Sequence, residues 1–265
     1  MFMLTHTYFL QKFLGAADVK NIDLDVYVYN IVPDLLTIHP QISSNRTHKI
    51  RRSLQIPAQY PRSAYVMFHL LVDDLSHYGY ICSNCQEEEF DSNSQGYSYL
   101  KGKPLINSIL DLHKIINKEI SYTEATYQSH LIIEMIYDLV ILNQINSFKT
   151  IDLLAEAIKF TVKNKMDGFV ATINWLYDIE KTEIGEVMKN ASIYITKERM
   201  EGIMNIESRI HLYKDKFGLK SNDQLFYDGL ENLFQQAKDL IDDDELFFRE
   251  TIQTIKNYGW LPTFI

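Results

Sequence analysis

The chain has 265 residues and a mass of 31.1 kDa, with 46% apolar and 12% aromatic residues, which excludes a disordered chain and provides for one large core or two small ones. Ten Gly and six Pro are too few for the turns of an all-β sandwich or barrel, so the expected class is all-α. A net charge of −9 argues against extended nucleic-acid binding through the general field, and a phosphate-bearing substrate would need a local cationic device such as a metal.

In chain order, periodicity predicts a helix over residues 3–14, then a turn-rich segment, then DVYVYN (residues 25–30), whose alternation fits a short strand. The N-terminus, MFMLTHTYFLQKFLG, has no basic lead and no small-residue cleavage site, and even HLIIEMIYDLVIL is interrupted by His130, Glu134 and Asp138. Neither a secretion signal nor a membrane span is expected, and the location expected is the cytoplasm. Residues 63–80 and 121–145 read as long, largely buried helices. Between them an excursion at 82–103, rich in Ser, Asn, Gly and charge, leads to a short helix over 104–118 and could form a lid. It opens with Cys82 and Cys85, a lone CxxC that supplies at best half of a zinc site and reads as two thiols in a polar loop. From residue 148 the pattern is helical throughout. Gly218 stops one helix, and Asn222 is placed to cap the next. The expected organisation is a single helical domain over 1–265: a metal-binding core at 1–147 and a helical extension at 148–265 whose role the sequence leaves open.

Chemistry concentrates in the first half, which holds seven of the eight histidines. In HLLVDDLSH, His69, Asp73 and His77 are spaced i, i+4, i+8 and share one helix face, while Asp74 points elsewhere, toward solvent or behind the cluster. In SHLIIEMIYD, His130 and Glu134 repeat the i, i+4 spacing on an otherwise apolar helix. A carboxylate buried there needs a cation, and no basic residue is near in sequence, so metal ligation is the economical explanation. Asp34, after Pro33, and His48, in a polar loop, form a third element. Imidazole with carboxylate suits zinc, with manganese or iron possible. His39 reads as structural, and His113 and His211 stand in ordinary helical patterns. Arg46, Lys49, Arg51 and Arg52 either hold a second phosphate or polar head group, Arg46 and Arg51 foremost, or form a solvated basic loop.

Four ordered blocks carry a family resemblance: Thr5-His6; Asn30 to Asp34 followed by Thr47-His48; His69, Asp73 and His77; and His130 with Glu134. Together they resemble the zinc-dependent phospholipase C superfamily, whose relatives include the single-strand-specific nucleases. The matching spans roughly residues 1–138. The resemblance implies an all-α fold with zinc held between helices. Asp34, His48, His69 and Asp73 would ligate one ion and His77, His130 and Glu134 a second, and Asp73 would bridge to a third at His6. Secreted members ligate that third ion through a processed N-terminal amine, a feature this sequence does not display.

The activity implied is hydrolysis of a phospholipid head group or other small phosphodiester, with Asp34 orienting or deprotonating the attacking water while dications clamp the phosphate oxygens. Two other readings stay open. One is a different helical His/Asp metal phosphohydrolase, although the chain contains no adjacent His-Asp pair. The other is a non-catalytic helical protein stapled by a structural metal; the two are separated by whether the ligand set keeps an open side.

Overall fold

The computed structural model describes residues 2–16, 23–82, 95–144, 148–221 and 223–260. These form helices and turns, with no strand among the described residues. The first half contributes α1 (Met3–Ala16), α2 (Asp25–Asn30), α3 (Val32–Leu35), α4 (Ser44–His48), α5 (Ser63–His77), α6 (Tyr97–Gly102), α7 (Ile106–Ile115) and α8 (Tyr122–Gln144). The second contributes α9 (Phe148–Asn164), α10 (Met166–Tyr177), α11 (Lys181–Tyr194), α12 (Lys197–Ile203), α13 (Ile206–Phe217), α14 (Gln224–Leu240) and α15 (Asp244–Tyr258). No helix among the described residues is long and apolar enough to cross a membrane.

The hub is α5. Its sequence, SAYVMFHLLVDDLSH, is apolar around most of the helix rather than along one stripe, and every residue from Ser63 to Ser76 is buried. It packs against α1, α2, α3, α6, α10 and α15. Enclosure on every side forces its polar residues to find partners inside the protein, which sets up the site.

The segment DVYVYN is helix α2, not a strand. Alternation signals a strand only when one face is solvated, and here all six residues are buried, packed chiefly against α5 and α9. Burial on every side removes the meaning of the pattern, and tertiary packing overrides the β preference of Val and Tyr. The excursion also differs from expectation where it is described. Residues 83–94, including Cys85, lie outside the described residues, but α6 turns inward, with Ser98 and Tyr99 buried against α8. Gly96 makes this possible, because a Cβ there would collide with the backbone of Ser76 and His77 at the end of α5. Cys82 is buried and disulfide-bonded rather than a thiol in a polar loop. Gly218 ends α13 in the left-handed conformation, φ 59°. The α14 cap is Asp223, whose side chain accepts from the Leu225 amide at 2.9 Å; Asn222, expected in that role, lies outside the described residues.

The second half is built into the same core. One apolar cluster runs from Leu4 to Trp260, with α9 on α1 and α2, α14 on α7 and α8, and α15 on α1 and α5. Trp260 closes it, its ring 5.1 Å from Phe13 and 4.8 Å from Phe68, and its indole N–H donating to the Ala64 carbonyl at 3.0 Å. Trp260→Ala is expected to lower stability by about 3–5 kcal/mol in urea unfolding; an unchanged midpoint would mean that this tail is not docked on α5.

Candidate metal centre

Four elements aim side chains at the Asp73 face of α5. From α1, fully buried His6 places Nε2 3.1 Å from Asp73 Oδ1 and stacks on His69, ring centroids 3.5 Å apart. From α5 itself, His69 Nε2 stands 3.3 Å from Asp73 Oδ2. From α4, His48 Nε2 lies 3.4 Å from both Asp73 Oδ2 and Asp34 Oδ1, the latter from α3. The ligand atoms fall into two overlapping groups, His6–His69–Asp73 and Asp34–His48–His69, each with all members within 4.8 Å of one another. A third group, His77, His130 and Glu134, joins the last residue of α5 to α8. Since residues four apart on a helix are offset by about 6 Å, it sits one turn along from the first two.

The residues present fit a cation at the Asp73 cluster. Donors around a tetrahedral zinc at 2.0–2.1 Å stand about 3.3 Å from each other, and the contacts here run from 3.1 to 3.4 Å. The buried Nε2 atoms of His6 and His69 and the buried Oδ2 of Asp34 make no hydrogen bond within the protein, the state expected of ligand atoms that converge on an ion. Tautomers agree: His69 Nδ1 donates to the Asn30 carbonyl at 2.8 Å, and His48 Nδ1 lies 3.0 Å from the Ser44 carbonyl, so each Nε2 is left as a lone pair facing the cluster. The third group is tighter, with His77 Nε2 and Glu134 Oε1 hydrogen-bonded at 2.7 Å, and its His130 ring lies stacked on Tyr99.

Electrostatics follow from burial and mutual contact. Burial lowers His6 to about 4, helped by the neighbouring His69 against the pull of Asp73. Burial likewise lowers His130 to about 3 against Glu134. Burial alone would raise Asp73, Asp34 and Glu134, but the imidazoles facing them, joined at Asp73 and Glu134 by the positive charge of the chain's N-terminus, hold all three below the usual carboxylate range. His48 moves the other way: burial would lower it, yet Asp34 and Asp73 raise it. The centre thus offers ionised carboxylates and, at His6 and His130, neutral imidazoles near neutral pH, the protonation state that metal ligation requires of these groups.

A surrounding layer fixes these groups. Asn30 serves twice, its Nδ2 donating to the His6 carbonyl at 2.8 Å while its own carbonyl accepts from His69. Asp138, one turn beyond Glu134 on α8, accepts from the Thr5 amide at 3.1 Å and from the Thr5 hydroxyl, and pairs with Arg209 of α13 at 3.2 Å. Asp74 is fully buried rather than solvated. It takes a bidentate grip from Arg52 and accepts the Cys82 amide at 3.1 Å, and burial raises it to about 6 against the pull of Arg52. The same guanidinium donates to the carbonyls of His48 and Ile50 at 2.7 and 2.6 Å, so Arg52 fastens the end of α4 to α5 and is no part of a solvated loop. Arg46 likewise is engaged, donating to the carbonyls of Tyr177 and Asp178 at the end of α10, whereas Arg51 is exposed. His39, His113 and His211 stand outside the cluster, with His113 hydrogen-bonded to Gln128 at 3.0 Å. The roles of Arg52 and Arg209 are long-range contacts that no local spacing announces; Asn30 heads one of the four sequence blocks but was given no role there, and Asp138 carried a signal by continuing the four-residue rhythm of His130 and Glu134.

No family model, curated protein or solved structure matches the chain.

Protein purified without chelator is expected to retain bound metal, with His69→Ala emptying the Asp73 cluster and Glu134→Ala only the third group, as read by metal analysis after dialysis. The metal-free protein should weaken in acid. His6 and His130 have folded values below the ordinary 6.5, so their stabilising contribution is complete above pH 6.5 and is lost as the pH falls toward 4 for His6 and 3 for His130. Thermal melting across that window should show a falling Tm, less steep in His6→Asn.

Proposed function

We propose that this chain is a zinc-dependent phosphoric ester hydrolase acting on a phospholipid head group or another small phosphodiester. The observation that carries the reading is the graded exposure of the Asp73 cluster. The side chains of His6 and His69 are 0% exposed and Asp73 5%, while Asp34 and His48 are each 21% exposed. A structural site is closed by its ligands, whereas a site that handles substrate keeps one side accessible, and here that side is the Asp34–His48 edge. The order of the four sequence blocks and the resemblance they carry point to the same chemistry.

Dications in such a centre acidify water and neutralise charge that develops on phosphoryl oxygens. The protein's part is division of labour among its own groups. Buried His6, His69 and Asp73 form a floor whose donors cannot turn to solvent. Asp34, half-buried and ionised by its imidazole neighbours, is placed to orient the attacking water and hold its proton. His48 beside it, held by Ser44 and Arg52, fixes the orientation of Asp34. Arg51 is the exposed cation available to a second phosphate or head group, since Arg46 is committed to carbonyls. The donor set of imidazole and carboxylate without thiolate also suits manganese or iron. A structural role is favoured at one place only, the third group, where His130 and Glu134 are each 3% exposed and His77 is already bonded to Glu134.

The test is hydrolysis of a chromogenic phosphodiester. Activity should vanish with a chelator, return with zinc, and fall by about 10²–10⁴-fold in kcat for Asp34→Asn. Metal-loaded protein that turns over neither phosphodiesters nor monoesters would leave the structural-metal reading in its place.

A further inference from the structure

His6 and His69 take their orientation from the long helices α1 and α5, whereas His48 has no such support. It is the last residue of α4, a helix of five residues, and Lys49 after it leaves helical geometry with φ −89° and ψ 48°. A single turn has little stability of its own, and the last carbonyls of a helix find no partner within it. His48 is nevertheless a ligand on which the open edge depends, its Nε2 lying 3.4 Å from both Asp34 and Asp73. Its direction has to be set from outside α4.

The two peptide planes that meet at the His48 Cα are each held by another side chain. The plane before it carries the Thr47 carbonyl, which accepts from the Tyr177 hydroxyl at 3.0 Å across 130 positions of sequence. The plane after it carries the His48 carbonyl, which accepts from Arg52 Nη1 at 2.7 Å. Peptide planes are rigid, so holding both sets φ and ψ of His48 and with them the direction of its Cβ. The Ser44 carbonyl, 3.0 Å from Nδ1, then settles the ring. Tyr177 is secured in turn by the helix it holds, since Arg46 of α4 donates to the carbonyls of Tyr177 and Asp178. Asp178 turns its carbonyl into this clasp from left-handed backbone, φ 52°, a conformation that Asp adopts more readily than most residues. Burial pushes the Tyr177 phenol up, against the nearby Arg52, so the hydroxyl keeps its proton and stays a donor.

We infer that Tyr177 is a positioning residue for the metal centre: through the Thr47 carbonyl it fixes the backbone of His48, and thereby the placement of His48 against Asp34 at the open edge. The inference rests on the reading of the Asp73 cluster as a metal centre and not on which bond is hydrolysed there. Tyr177 touches no reacting group. It acts as an outer partner of a ligand, and such partners set how closely and in what direction the ligand meets its ion.

Cobalt(II) titration of the full-length, metal-stripped protein tests this, because the visible absorption of cobalt reports the geometry of its ligands whether or not any substrate is turned over. Tyr177→Phe keeps the ring and its packing and deletes one donor. It should alter the cobalt absorption and weaken cobalt binding by about 10–100-fold, the range expected for loss of an outer partner. Tyr137→Phe is the control. It removes a bond of the same kind, from a buried hydroxyl to the Asp244 carbonyl at 3.2 Å, with no candidate ligand attached to that carbonyl, and should leave absorption and affinity as in wild type. Identical cobalt spectra and affinities for Tyr177→Phe and wild type overturn the inference. An equal change in Tyr137→Phe also overturns it, because the effect would then be one of general packing. Wild type that binds no cobalt overturns it together with the metal centre. If Tyr177→Phe shows the altered cobalt site while the loaded wild type hydrolyses no phosphoester, the hydrolase reading fails and the positioning role stands.

Discussion

Two adjacent carboxylates, Asp73 and Asp74, lie on a helix that the protein encloses on every side. An isolated carboxylate in such surroundings is strongly disfavoured, and neighbours on a helix point about 100° apart, so one partner cannot serve both. The protein answers each differently. Asp74 receives a fixed cation, the Arg52 guanidinium, together with the Cys82 amide. Asp73 receives His6, His48 and His69, each between 3.1 and 3.4 Å away, groups that pair with it weakly when neutral and that share it readily with a metal. Most of what is distinctive in the molecule follows from that asymmetry: one carboxylate is closed off for stability and the other is kept available for a cation.

The surrounding contacts make sense as the means of holding α1, α3 and α4 against α5. Short elements such as α3 and α4 have little helical stability of their own. His48 therefore depends on Arg52 and on the Tyr177 hydroxyl bonded to Thr47, and His6 depends on Asn30 and on the Asp138–Thr5 contact. Arg209 extends this dependence into the second half of the chain, since its pair with Asp138 places α13 behind the residue that grips α1. Residues 148–260 thus serve as a wall for the centre, contributing Tyr177, Arg209 and the Trp260 plug rather than forming a separate unit.

Charge is arranged at three scales that would conflict if read singly. The chain as a whole is acidic, the Asp73 cluster gathers carboxylates and imidazoles that could hold a cation, and the segment 35–72, which supplies His48 and His69, carries no Asp or Glu. On the proposed hydrolase reading an anionic substrate would meet the last two before the first, because fields of exposed charges fade over about 8–10 Å in salt. On that reading net charge would limit extended polyanion binding while leaving a small phosphoester open as a substrate.

The sequence by itself determined the helical class and the donors on α5 and α8, because a four-residue rhythm of His, Asp and Glu on apolar helices is a local signal with one geometric meaning. It also marked the stop at Gly218, since left-handed backbone is a local demand. Other features depended on distant partners and only the tertiary structure decided them. DVYVYN alternates like a strand and became helical because α5 and α9 enclose it. Asp74 could have faced solvent or backed the cluster, and it is buried because Arg52 reaches back to it from a loop. Arg46 looked available and is held by the end of α10, 131 and 132 positions away. The partition between floor and open edge, with His6 and His69 sealed and Asp34 and His48 half-exposed, is likewise a property of packing, because accessibility is set by what lies across the gap and not by a residue's neighbours along the chain.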